Sequence, residues 1–255
     1  MAYAPAAAGI RRTDILNLSG RTQDSRVAPD DAGDMVARMS VINGIVGPAF
    51  RFFCLALAML VSAAALPAMA ETRLMVLGDS LVAGYGLPPG QGFPAQLQRS
   101  LTAAGRQVTV LDAGVSGDTT AGGLARLDWS LGDNPQAVII VLGGNDMLRG
   151  LLPAAARDNL EAIVTRLRDR QIEVLLAGML APRNMGPSYT ADFDSIYPGL
   201  ADRHDIEFYP FFLEGVALEP ALNLDDGLHP NEAGIAEITR RILPSVERLL
   251  ARLDG

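Results

Sequence analysis

The sequence predicts an α/β protein, with one three-layer α/β/α domain built on a five-stranded parallel sheet. Apolar runs of four to six residues alternate with longer segments of helical spacing from Glu71 onward. The third run, AVIIVL, has no polar alternation, which is typical of a parallel strand covered by helices on both faces. Strands that alternate with helices imply right-handed crossovers, and therefore a parallel sheet.

The predicted elements follow one another without a linker, a repeat or a low-complexity tract, so we expect residues 71–255 to form one domain. The predicted strands span Arg73 to Leu77, Gln107 to Leu111, Ala137 to Leu142, Ile172 to Ala177 and Ile206 to Tyr209. The predicted helices span Phe93 to Ala104, a segment starting near Thr119, Ala154 to Arg170, Ser188 to Arg203 and Pro230 to Leu253. Proline suits the first turn of a helix, which places Pro230 at the start of the last one.

Residues 1–70 are predicted to be an N-terminal extension and a secretory signal peptide. An uncharged apolar block runs from Phe52 to Leu66, with an arginine before it and Ala68-Met69-Ala70 after it. This pattern predicts cleavage after Ala70, and hence a periplasmic or secreted protein with no stable membrane span. An uncleaved membrane anchor stays open as the alternative. The acidic residues before Met35 also suggest that translation starts at Met35 or Met39.

Charge and cysteine content exclude several classes of function. From Glu71 onward the chain has 15 arginines, no lysine and 24 acidic residues, a net charge of −9. An acidic surface without basic clusters argues against nucleic acid or an anionic membrane as the main partner. Cys54 is the only cysteine and there are two histidines, so we expect no disulfide, no metal site and no cofactor.

Three polar motifs come directly after predicted strands, and a fourth lies between the fifth strand and the last helix. They are GDSL at 78–81, AGVSGDT at 113–119, GGND at 143–146 and DDGLHP at 225–230. In parallel sheets that alternate with helices, binding sites lie at the carboxyl ends of the strands. The four motifs are therefore expected to meet at one edge of the sheet.

The residue types in these motifs indicate nucleophilic catalysis by a serine. Ser80 needs an imidazole to remove its proton, and His229 is the candidate base. Asp226, three residues earlier, is placed to orient that imidazole. The backbone N–H groups of Ser80 and Gly117 and the side-chain amide of Asn145 are candidate donors for an oxyanion.

Four other residues of the motifs and the second histidine have interpretations of their own. Ser116 is a rival nucleophile, and Asp225 is a rival orienting carboxylate. Asp79 and Asp146 are expected to tie down their own loops through backbone hydrogen bonds. The other histidine, His204, is expected to be a surface residue near the end of a helix.

The four motifs resemble, in order and in spacing, the conserved blocks of the SGNH or GDSL hydrolases. The longer strings GDSLVAGYGL, SGDTTAGGLARL, LGGNDMLRG and DDGLHPNEAG resemble the bacterial periplasmic thioesterases, lysophospholipases and arylesterases of that family. The resemblance covers Thr72 to Leu250. It implies a flavodoxin-like SGNH domain with Ser80, Asp226 and His229 as the triad, and Ser80, Gly117 and Asn145 as the oxyanion hole.

The predicted function is hydrolysis of small carboxylic esters or thioesters, with lysophospholipids among the candidate substrates, through an acyl-enzyme. Two alternatives stay open: a carbohydrate O-acetylesterase on the same fold, and a non-catalytic binding domain. The resemblance also places the segment from Ala181 to Tyr197 beside the acyl pocket. We therefore predict that Met185 and Tyr189 line that pocket.

Overall fold

The computed structural model describes residues 71–253, and the predicted signal peptide with its cleavage site after Ala70 lies outside these residues. The strands are β1 Thr72–Gly78, β2 Val108–Gly114, β3 Ala137–Val141, β4 Glu173–Ala177 and β5 Glu207–Tyr209. All five are parallel and form one sheet in the order β2-β1-β3-β4-β5. The α/β fold with a five-stranded parallel sheet is confirmed.

The middle of the sheet forms the core. β3 is buried along its whole length, and β1 and β4 are buried from their second or third residue onward. β2 is only half-buried because it lies at the edge of the sheet. It also extends three residues past the predicted end at Leu111, since its backbone continues to pair with β1 as far as Gly114.

Helices cover both faces of the sheet. The helices are α1 Ser80–Ala83, α2 Phe93–Ala103, α3 Thr120–Ser130, α4 Gly144–Leu148, α5 Pro153–Asp169, α6 Pro187–Asp194, α7 Ile196–His204 and α8 Glu232–Ala251. The helices α2 and α8 pack together on one side, and α3, α5 and α7 pack together on the other. The short helices α1 and α4 follow β1 and β3 directly. Across residues 71–253, no helix combines the length and the apolar character that a bilayer crossing requires.

Two predicted helices differ from the structure. The segment from Ser188 to Arg203 forms two helices, because the chain turns at Ser195 to bury Phe193 on α6 and Tyr197 on α7. The last helix begins at Glu232 rather than at Pro230. Asn231 caps it by accepting a hydrogen bond from the backbone N–H of Gly234.

Close packing of α1 against β2 requires a glycine at the end of β2. A Cβ atom at Gly114 would lie 2.3 Å from the backbone nitrogen of Ala83 at the end of α1. Backbone atoms cannot move away as a flexible side chain can. Gly114 therefore sets how closely the helix that starts with Ser80 approaches the sheet.

Replacement of Gly114 by alanine should destabilise the protein by about 1–3 kcal/mol, because the added methyl group pushes α1 away from β2. Urea unfolding of Gly114→Ala measures this loss. Gly132→Ala is the matched control, since no atom lies within 4 Å of its added methyl group. Equal stability of the two variants would show that the contact with Ala83 is unimportant.

Candidate active site

The four polar motifs meet at the carboxyl edge of the sheet. The chain passes from β1 to β2 on one side of it, and then to β3 on its other side. Gly78 of β1 pairs with Gly114 of β2 on one side and with Val141 of β3 on the other. The loops that follow these strands therefore start at the same height. This is the position at which open α/β sheets of this order bind ligands.

Ser80, His229 and Asp226 form a continuous hydrogen-bonded chain. The hydroxyl oxygen of Ser80 lies 2.9 Å from Nε2 of His229, and Nδ1 of His229 lies 2.6 Å from Oδ2 of Asp226. Because a carboxylate accepts at Nδ1, that nitrogen carries the proton and Nε2 is left to accept the proton of Ser80. The geometry selects Ser80 over Ser116 as the partner of His229, and Asp226 over Asp225.

Asp226 is half-exposed, yet hydrogen bonds hold it in its ionised form. Its Oδ1 accepts from the backbone N–H groups of His229 and Leu228, at 3.0 and 2.9 Å. These two bonds and the bond to the His229 ring lower the pKa of Asp226 to about 2. A tilted Tyr85 ring, 4.5 Å from the imidazole, covers one side of His229.

Asp79 links the loops after β1 and β3. Its carboxylate is buried and accepts hydrogen bonds from the backbone N–H of Leu81 and from Nδ2 of Asn145, both at 3.0 Å. Burial raises the pKa of Asp79 to about 6, against the lowering effect of those two bonds. The bond from Asn145 fixes its amide group and leaves the second Nδ2 hydrogen available to a ligand.

The sequence predicted that Asp146 ties down its own loop. Instead, Asp146 holds the loop after β2. Its two carboxylate oxygens accept from the backbone N–H and the hydroxyl of Thr120, at 2.8 and 2.6 Å. Thr120 is the first residue of α3, directly after the loop that contains Gly117. The buried pair of Asp146 and Thr120 therefore joins the loops that carry Asn145 and Gly117.

Sequence reasoning missed Arg126, which ties three segments of this edge together. Its guanidinium group donates to the carboxylate of Asp118 at 2.6 Å, and to the backbone carbonyls of Gly78 and Ala113 at 2.9 and 2.8 Å. Arg126 thus joins the ends of β1 and β2 to the loop beside Gly117. Arg126 lies within a helix, and nothing in that sequence position marks it as a residue that joins loops.

Gly117 lies in the turn after β2 with a positive φ of 85°, a conformation that favours glycine. Its carbonyl accepts a hydrogen bond of 2.7 Å from Arg149. Within the described part of the chain, the backbone N–H groups of Gly117 and Ser80 donate no hydrogen bond. Both groups are thus available to an anion.

A cavity of about 370 Å³ lies beside Ser80, Asn145 and His229. Its other walls are mainly apolar and come from the loops after β3, β4 and β5. They include Met147, Leu148, Met179, Leu180, Phe211, Leu213, Leu218 and Leu228. Among residues 71–253, no group of three or more histidine, cysteine or acidic side chains is arranged to hold a metal ion.

Met185 and Tyr189 lie outside this cavity, which corrects their predicted placement. They line a separate depression with Leu152 and Pro187, and the Tyr189 hydroxyl donates to the backbone carbonyl of Leu151. The short helix at Pro187–Asp194 carries Tyr189 in that direction. His204 lies at the end of α7 and takes no part in the site. Its Nε2 lies 2.6 Å from Oε1 of Glu161.

Replacement of Asp79 by asparagine should change how stability depends on pH. The pKa of Asp79 is about 6 in the folded chain and 3.8 in an exposed aspartate. The contribution of Asp79 to the free energy of unfolding is thus fully present below about pH 4 and is lost as the pH rises through about 6. The free energy of unfolding of Asp79→Asn, relative to the wild type, should therefore increase between pH 4.5 and 7.5.

Urea unfolding at the two pH values checks this expectation. Asp158→Asn is the control, because the Asp158 side chain is exposed. A stability difference between Asp79→Asn and the wild type that stays the same at both pH values would contradict the raised pKa.

Comparison with known proteins identifies the family. The model of the GDSL-like lipase/acylhydrolase family matches residues 76–236. Esterase TesA of Pseudomonas aeruginosa is 41% identical over 77% of this chain and 96% of that protein. Thioesterase 1/protease 1/lysophospholipase L1 of Escherichia coli K12 is 40% identical over 64% of this chain and 78% of that protein. The crystal structure of TesA matches with a TM-score of 0.67 at 40% identity, over 70% of this chain and 99% of that chain. The chain therefore belongs to the GDSL-like lipase/acylhydrolase family and is a serine ester hydrolase.

Proposed function

We propose that this enzyme cleaves carboxylic esters and thioesters through an acyl-enzyme on Ser80. The observation that carries the proposal is the hydrogen-bonded chain from Ser80 through His229 to Asp226, with distances of 2.9 and 2.6 Å. A serine hydroxyl becomes an effective nucleophile when an oriented, neutral imidazole accepts its proton. Asp226 supplies the orientation, and its low pKa keeps it ionised throughout the working range.

The reaction proceeds in two halves. The Ser80 oxygen attacks the carbonyl carbon while His229 takes its proton, and the bond to the leaving alcohol or thiol then breaks as His229 protonates that group. Water next attacks the acyl-enzyme and gives its proton to His229. The carboxylic acid leaves as the proton returns to Ser80. No metal or organic cofactor enters these steps.

Three donors stabilise the oxyanion of each tetrahedral intermediate: the backbone N–H groups of Ser80 and Gly117 and the side-chain amide of Asn145. The free N–H groups and the fixed Asn145 amide support this assignment. Donors that are fixed in advance cost no reorganisation during the reaction. Loss of one such donor typically lowers kcat by about 10²- to 10³-fold.

The apolar cavity supports an acyl group longer than acetyl as the substrate. Leucine, methionine and phenylalanine side chains dominate its walls away from Ser80. The name of the Escherichia coli relative favours acyl thioesters and lysophospholipids. Export to the periplasm or the medium fits the predicted signal peptide, and we propose that location for the enzyme.

Hydrolysis of p-nitrophenyl esters from acetyl to palmitoyl tests the proposed activity. We expect a preference for acyl chains longer than acetyl, and a loss of more than about 10³-fold in kcat for Ser80→Ala, because the nucleophile is removed. Ser116→Ala is the matched control and should keep its activity. Hydrolysis of acetyl esters alone would favour the carbohydrate O-acetylesterase. A folded protein inactive at every chain length would contradict ester hydrolysis.

The value of kcat/KM should fall as the pH decreases. A histidine base works only when neutral, and imidazoles in proteins take up a proton between about pH 5 and 8. The pKa of about 2 at Asp226 places its own protonation far below that range. Asp79, which accepts a hydrogen bond from Asn145, has a pKa of about 6 and takes up its proton in the same range. Activity should therefore fall with decreasing pH over that range. Full activity at pH 4 would exclude His229 as the base.

A further inference from the structure

Exposed hydrophobic side chains are concentrated on the edge of the molecule that contains the candidate active site. Among residues 71–253, nine large hydrophobic side chains are exposed. Eight of them lie on the segments that follow the carboxyl ends of strands, Leu148 being the last residue of the short helix α4: Tyr85, Val115, Leu148, Leu151, Leu152, Leu180, Leu218 and Leu228. All five strands contribute at least one. We call these eight residues the apolar rim.

The ninth exposed side chain shows that this distribution is not a general property of the surface. Trp129 is 84% exposed and lies near the end of α3. That helix starts at the active-site edge and runs away from it, so Trp129 lies about 15 Å from the helix start. Clustered exposed apolar residues mark sites of interaction, whereas single ones are ordinary.

Part of the apolar rim forms the wall of the cavity beside Ser80. Four of its leucines, on the loops after β3, β4 and β5, both line the cavity and are exposed to solvent. The cavity therefore opens through the rim. Whatever covers the rim also lies over the entrance through which substrate reaches Ser80.

Leu218, the most exposed residue of the rim, is held in an uncommon backbone conformation. Its side chain is 90% exposed, and its φ of 66° is uncommon for a residue with a large side chain. Buried Asn223 holds the loop in this shape, because its amide donates to the backbone carbonyls of Val216 and Glu219. Strained backbone of this kind is concentrated at functional sites.

The charges of the same loops exclude an anionic partner surface. Their exposed charged residues are two arginines, Arg149 and Arg183, and four acidic residues on the loop after β5. Residues 71–255 contain no lysine and have a net charge of −9. Attraction to anionic lipid depends on clustered basic residues, which this edge lacks. A neutral or zwitterionic surface meets no such electrostatic barrier.

We propose that the apolar rim docks on the surface of zwitterionic lipid aggregates and draws acyl esters from them into the cavity. A second copy of the chain on the rim would close the entrance to Ser80, whereas a lipid surface covers the same leucines and also supplies substrate. The inference rests on the proposed function for its substrate, but the docking step needs no catalysis.

Binding of Ser80→Ala protein to phosphatidylcholine vesicles, measured by flotation, tests the docking step without hydrolysis. The Ser80→Ala protein, the parent of the other variants, should float with the vesicles. The parent with Leu152→Ser and Leu218→Ser added should bind at least five-fold more weakly. Trp129→Ser is the matched control and should bind as the parent does.

Phosphatidylglycerol in the vesicles should not strengthen binding. Leu152→Ser alone should weaken binding less, and it should fold, because serine suits the first position before α5.

Three outcomes would overturn the proposal: no flotation of the parent, an equal loss of binding in Trp129→Ser, or dimers of the parent that the double variant abolishes.

Hydrolysis of soluble p-nitrophenyl acetate by otherwise wild-type protein carrying Leu152→Ser separates docking from chemistry. That activity should stay within two-fold of the wild type. Vesicle binding by a protein with no esterase activity would contradict the proposed function and leave the docking intact.

Discussion

The parallel pairing of β1 with a strand on each side is the constraint on which the site depends. Because β1 pairs in register with β2 and β3, three strands end at the same height. The chain then delivers Ser80 two residues after β1, Gly117 three residues after β2 and Asn145 four residues after β3. Close contact at Gly114 keeps α1, which starts with Ser80, against this edge.

Polar groups beneath the surface then fix the loops relative to one another. Asp79 joins the first loop to Asn145, Asp146 joins the third loop to Thr120, and Arg126 joins the first two strand ends. Burial raises the pKa of Asp79, whereas backbone N–H groups lower that of the more exposed Asp226. The same side-chain type thus serves as a structural link in one environment and as a charged orienting group in the other.

The sequence predicted most of the sheet and the family of the chain, because buried strands and glycine-rich strand ends leave local patterns. It did not predict the two helices of residues 187–204, since a one-residue turn at Ser195 interrupts no apolar periodicity. The cavity walls were misplaced for a related reason. Met185 and Tyr189 lie in the expected loop, but the direction of its short helix turns them toward a different depression. Arg126 was missed because the acceptors that tie it to the ends of β1 and β2 are backbone carbonyls, which have no sequence signature.

Covalent labelling with a fluorophosphonate tests the central claim, that the bonded chain from Asp226 to Ser80 activates one serine. Intact-mass and peptide analysis should find a single adduct per chain, on Ser80. Labelling should be at least about 10²-fold slower in His229→Gln, because general-base assistance contributes about 10²- to 10⁴-fold. An adduct on Ser116, or equal labelling rates with and without His229, would contradict the account.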